Sequence, residues 1–138
     1  MNLRISNPQL EKDDTATDVP VTRTDQDRIN AFSRLNSRTD EIVDLLDGLT
    51  KQKEDLEEVE TEMELVDEDE PVMYKIDTTF IHLPASEALE HLQAALEKIR
   101  TEVDALETEK QECEDKMDEL KKDLYAKFGS SINLERGD

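Results

Sequence analysis

The chain has 138 residues, 35% of them hydrophobic, 39% charged and 4% aromatic, with no Trp and a formal net charge of −20. That balance excludes a thick globular core and points to long helices or a coiled coil; so large an acidic excess also excludes the basic neutralisation that nucleic-acid binding and adhesion to anionic membranes require. One cysteine, Cys113, leaves no internal disulfide; no apolar run approaches the roughly 20 residues of a membrane span, and the N-terminus lacks a signal-peptide core, so the expected compartment is the cytoplasm, with the nucleus as a second.

In chain order, residues 1–22 are polar and acidic and include Pro8 and Pro20. No period holds there, which predicts a disordered acidic tail. A first helix is expected over about residues 24–66. Thr24 is its candidate N-cap, with Asp25 and Asp27 in a first turn where the helix dipole favours negative charge. Leu35, Ile42, Leu49, Leu56 and Met63 recur every seven residues, the mark of a coiled-coil seam. A companion row from Phe32 to Leu46, or Leu45 to Val59, is interrupted by Thr39 and Lys53. Gly48 inside this helix costs about 1 kcal/mol relative to Ala. The acidic run Asp67–Glu70 follows. It lacks the spacing and central Gly of an EF-hand, and reads as a solvated loop.

Residues 72–83 are the one stretch with β character. With Asp77-Thr78 as a two-residue turn, Ile76 pairs with Thr79, Tyr74 with Ile81 and Val72 with Leu83. Those six side chains share one face, and Met73, Lys75, Phe80 and His82 take the other. An isolated two-stranded hairpin is marginal in water and leaves two unpaired edges. This one is therefore expected to join hairpins of other chains, through Val72, Tyr74, Ile76, Phe80, Ile81 and Leu83.

A second helix is expected over about residues 86–128, with Ser86 as N-cap. Leu89, Leu92, Leu96, Ile99, Val103, Leu106, Lys110, Cys113, Met117, Leu120 and Leu124 alternate steps of three and four, broken only by Lys110. Gly129 suits the left-handed position that ends helices, and residues 130–138 form a short tail. Both helices are about 60 Å long at 1.5 Å per residue. The second returns along the first as an antiparallel coiled coil, bringing Leu56 near Leu96, Leu49 near Val103 and Leu35 near Met117.

Sites of chemistry are not in evidence. His82, His91 and Cys113 have no zinc-ligand spacing. There is no glycine-rich phosphate loop and no nucleophile–base pair. Neither a metal, a cofactor nor an enzymatic activity is expected. At the far helix ends, Ile29, Phe32, Leu124, Phe128, Ile132 and Leu134 converge with Tyr125. They either pack the final turns or form an exposed adhesive patch for another protein.

Two equal coiled-coil helices joined by one hairpin resemble the β-type subunits of prefoldin. Val72-Met73-Tyr74-Lys75-Ile76 and Thr79-Phe80-Ile81-His82-Leu83 look like that family's strands. The acidic character and the exit through Leu83-Pro84-Ala85-Ser86 look most like a eukaryotic member. The resemblance covers about residues 24–128. It implies a mainly α fold whose hairpin oligomerises into a β-barrel platform. It further implies a hetero-hexamer of two α-type and four β-type subunits, independent of ATP. Such an assembly captures unfolded actin and tubulin at its coiled-coil tips and hands them to the cytosolic chaperonin. The alternative from the residues alone is a coiled-coil scaffold or adaptor.

Overall fold

The computed structural model describes residues 19–135. Helix α1 spans Arg23–Glu64, strands β1 and β2 span Pro71–Ile76 and Thr79–Pro84, and helix α2 spans Ala85–Phe128. A 3-10 turn over Gly129–Ser131 follows. The chain divides into two compact units. Residues 45–106 form the hairpin unit; residues 19–44 together with 107–135 form the helix-end unit.

α1 begins one residue before Thr24, and its cap is Thr22. The Thr22 hydroxyl accepts the Asp25 N–H at 3.1 Å, and the Asp25 carboxylate accepts the Thr22 N–H at 3.0 Å. This is a reciprocal capping box, with Asp in the place usually taken by Glu. Spacing alone does not separate the two threonines, because Thr22 and Thr24 each have an aspartate three positions on, Asp25 and Asp27. Of the expected tail over residues 1–22, residues 1–18 lie outside the described part. Val19 packs against the apolar cluster of the helix ends.

In the hairpin unit, β1 and β2 pair antiparallel in the register read from the pattern: Val72 with Leu83, Tyr74 with Ile81, Ile76 with Thr79. Asp77 takes φ 54°, the one non-glycine residue at positive φ among those described. Asp tolerates that region better than most residues. A type I′ turn needs positive φ at both central residues, whereas a type II′ turn needs it only at the first. The Asp77-Thr78 turn follows the second sign pattern.

α2 starts at Ala85, so Ser86 lies in its first turn and is not its cap. The first amides are satisfied from the preceding loop instead. Ala85 N–H donates to the Glu70 carbonyl at 2.8 Å and Ser86 N–H to the Glu68 carbonyl at 3.0 Å. The acidic loop thus keeps its carboxylates exposed while its carbonyls fill the acceptor role of a cap. Along α2, Ala85, Ala88, Leu92, Leu96 and Ile99 are buried. Their spacing lays one apolar stripe on one helix face.

Between the helices of the hairpin unit, Arg100 Nη2 meets Glu57 Oε2 at 3.3 Å. In the helix-end unit, Arg38 grips Glu109 with two bonds of 2.6 and 2.9 Å. That bidentate geometry lowers the Glu109 pKa and raises that of Arg38. These pairs match antiparallel helices within each unit. Gly48 is exposed, and an added Cβ would meet nothing within 4 Å. No packing among the described residues explains it.

Candidate functional site

Two places carry apolar side chains beyond what a two-helix coil needs: the hairpin and the helix ends.

On the hairpin, Val72, Tyr74 and Leu83 are half-buried. The Tyr74 ring lies 5.5 Å from the His91 imidazole, tilted by 32°. His91 thus covers part of the face nearest α2, a role its place outside the seam did not suggest. Toward the turn the same face opens, and Ile76 and Ile81 are exposed. The opposite face carries Phe80, 59% exposed, and Met73, 61% exposed. Lys75 Nζ sits 5.9 Å from the centre of the Phe80 ring. Of the six expected interface residues, three therefore lean on their own chain and three face outward. Met73 was left out of that set, although its place on the Phe80 face signalled it. Leu65, 85% exposed, was also missed, because it falls off the seven-residue row. Among the described residues, each strand of this two-stranded sheet keeps one edge without a partner.

The helix ends hold a different arrangement. Ile29 and Phe32 of α1 meet Met117, Leu124 and Phe128 of α2, and Ile132 and Leu134 join them in one buried cluster. Leu35, Leu120 and Tyr125 pack around it. An exposed adhesive patch made of Ile29, Phe32, Leu124, Phe128, Ile132 and Leu134 is therefore not present. All six are at most 5% exposed. The physical reason is a third segment. Gly129, at φ 57°, turns the chain, and residues 130–135 of the expected tail fold back over the helices. Leu134 N–H donates to the Tyr125 hydroxyl at 3.0 Å, and Lys121 Nζ lies 3.6 Å from Glu135. Burying Ile132 and Leu134 is worth about 1.5–3 kcal/mol each.

Asp25 is buried and pairs with Lys127. The Lys127 ammonium, followed by the Thr22 N–H, pulls the Asp25 carboxyl from 3.8 down to about 2. A pKa lower in the folded than the unfolded chain stabilises above the unfolded value. The contribution is lost as pH falls from 3.8 through about 2. Asp25→Asn is accordingly expected to melt below the parent at pH 7. In thermal denaturation followed by circular dichroism, that gap should close on acidification to about pH 2. A gap of constant size across this window would rule out the ion pair as its source.

Cys113 is buried and free, as its seam position suggests. Among the described residues no group of three or more His, Cys, Asp or Glu side chains is placed to hold a metal. Among them, too, no helix is long and apolar enough to cross a membrane.

Residues 26–131 match the family model described as Prefoldin subunit. The chain is 40% identical over 129 residues to prefoldin subunit 4 of Saccharomyces cerevisiae, covering 94% of this chain and 97% of that protein. It is 39% identical over 121 residues to prefoldin subunit 4 of Homo sapiens, covering 87% and 90%. The fold is similar to the crystal structure of the prefoldin beta subunit from Thermococcus strain KS-1. That match has a TM-score of 0.70 at 14% identity and covers 80% of this chain and 97% of that one. On a family match spanning both helices and the hairpin, and on relatives aligned nearly end to end, the chain belongs to the prefoldin subunits, non-enzymatic chaperone components that assemble with one another.

Proposed function

We infer that this chain is one β-type subunit of a hetero-hexamer with two α-type and three further β-type prefoldin subunits. Its hairpin enters a shared β-barrel platform through Val72, Tyr74, Ile76, Phe80, Ile81 and Leu83. The observation that carries this reading is the hairpin itself: two free edges, with Ile76, Ile81, Met73 and Phe80 exposed on its two faces. Covering them needs strands from outside the chain. The assembly works in the cytoplasm and the nucleus. Without nucleotide, it captures unfolded actin and tubulin at helix ends such as the Phe32 cluster and passes them to the cytosolic chaperonin. Clients, chaperonin and the place of capture rest on the family resemblance; in the single chain the Phe32 cluster is buried. Several such ends on one platform add avidity, because each further contact is intramolecular.

The test is aggregation of chemically denatured actin, followed by light scattering, with no nucleotide present. The assembly reconstituted with this chain is expected to suppress aggregation at about equimolar ratio. Full aggregation of actin and tubulin in the presence of a correctly assembled hexamer would remove the client reading. It would favour a scaffold that uses the same coil.

A further inference from the structure

In the helix-end unit α1 buries two stripes, and one neighbouring helix covers only one of them. Leu35, Thr39 and Ile42 follow the seam and are buried or half-buried. Ile29, Ser33, Asn36 and Asp40 follow one another at steps of four, three and four, about 120° further round the helix. A helix buries a stripe of about 100° against its neighbour. Yet Ile29, Asn36 and Asp40 are only 3%, 1% and 6% exposed. Val43, next on this second stripe, is 42% exposed. A cover of limited length therefore lies over α1 and ends before Val43.

Near Ile29 the cover is the folded-back C-terminal segment together with Val19. That segment does not reach Asp40. Glu135, its last described residue, lies beside Lys121 and the Tyr125 hydroxyl. Asp40 stands about 12 Å further along α1 than Phe32, and the three residues after Glu135 span at most about 10 Å. Two further observations give the chemistry of the cover. Both polar atoms of the buried Asn36 amide lack a hydrogen-bond partner among the described residues. An amide that both donates and accepts matches the free N–H and C=O of an extended backbone; a helix has spent those groups internally. Ile132, extended at φ −129° and ψ 145°, makes an isolated β-bridge, and its partner is none of the other described residues. Residues 133–135 contain no turn that would bring the chain end back onto Ile132.

We propose that residues 1–18 are that cover: an extended segment that enters at Val19, pairs with Ile132 and runs along α1 to Asp40, its peptide groups satisfying the Asn36 amide. Eighteen extended residues reach about 60 Å, and the rise from Ile29 to Asp40 is about 16 Å. The segment carries Leu3, Ile5 and Leu10 to seat on the stripe, and Pro8 keeps it out of a helix. Attached at Val19, it competes for the stripe at an effective concentration in the millimolar range, well above what a separate chain supplies. The acidic N-terminus thereby becomes a strap across the helix ends and not a free tail.

The test reads a thiol placed under the strap. In the full chain, Cys113→Ala removes the one native thiol and Ser33→Cys places another on the stripe. Its reaction with an aromatic disulfide is followed by absorbance. The same is done for this chain lacking residues 1–18, and for this chain with Leu3→Asn, Ile5→Asn and Leu10→Asn, which keeps the length. Both altered chains are expected to react at least about tenfold faster, as for a site covered nine-tenths of the time. Equal rates in the three chains overturn the proposal. A rate that rises on dilution of the chain with its tail intact also overturns it, by assigning the cover to a second copy. Thermal denaturation reads the amide in the otherwise unaltered sequence. Asn36→Leu is expected to lower Tm by several degrees in the full chain, where it strips the strap's peptide groups of a partner. In the chain lacking residues 1–18, where position 36 faces water, it should leave Tm nearly unchanged. Equal shifts in the two chains overturn the proposal.

Discussion

Ile81→Asp is expected to abolish assembly with other prefoldin subunits while leaving the helix content of the chain unchanged. Ile81 pairs with Tyr74 and is 36% exposed in the single chain, so a carboxylate there stays solvated and does not disturb the fold. In an assembled platform the same carboxylate must leave water without a partner, which costs several kcal/mol. Each 1.4 kcal/mol is a factor of ten in affinity, and about 4 kcal/mol therefore reduces assembly roughly a thousandfold. Size-exclusion chromatography with light scattering on the mixed subunits reads the assembly, and far-UV circular dichroism reads the helices. A complex of normal mass would take Ile81 out of the interface.

Phe32→Ala is expected to lower the stability of the helix-end unit by about 3–5 kcal/mol, the usual cost of emptying a buried aromatic site. Phe32 is 2% exposed and sits among side chains from both helices and the folded-back segment. For a chain of this size the loss corresponds to a fall of roughly 10–20 °C in Tm. Leu35→Ala, at a half-buried position on the cluster's flank, should cost nearer about 2 kcal/mol. Thermal denaturation by circular dichroism at fixed protein concentration ranks the two. Equal Tm values for parent and Phe32→Ala would contradict a core centred on that ring.

The main elements were legible because their periods are long and consistent. The seven-residue row of α1 and the alternating steps of α2 persist over many turns, and the strands between them carry a period of two. Hairpin register followed from alternation, because a slip of one residue would exchange the two faces. Caps were less legible, since they depend on single polar groups. Ser86 looked like a cap, but the loop carbonyls of Glu68 and Glu70 already serve the first amides of α2. Thr39 looked like a break in the apolar row. It is buried all the same, because its hydroxyl donates to the Leu35 carbonyl at 2.8 Å within its own helix. The helix-end cluster was legible as a set of residues but not in its exposure. Nothing in a nine-residue polar tail announces that Ile132 and Leu134 will fold back, and without them the count of apolar groups exceeds what two helices can cover. The Tyr74–His91 contact joins a strand to a helix face, and no single period contains both.

The span of chain closed by each unit has a consequence for how the protein is made. Hairpin partners lie close in sequence, down to Ile76 and Thr79 flanking the turn, whereas Asp25 and Lys127 are 102 residues apart. Local contacts form early and distant ones await loop closure. On a ribosome the hairpin unit has all its residues once Leu106 has emerged. Ile29 and Phe32, synthesised long before, have no partners until Met117 to Leu134 follow. At about 5–20 residues per second the remaining stretch takes on the order of seconds. For that interval the nascent subunit of a chaperone carries bare apolar side chains of its own, and it is itself a polypeptide in need of holding.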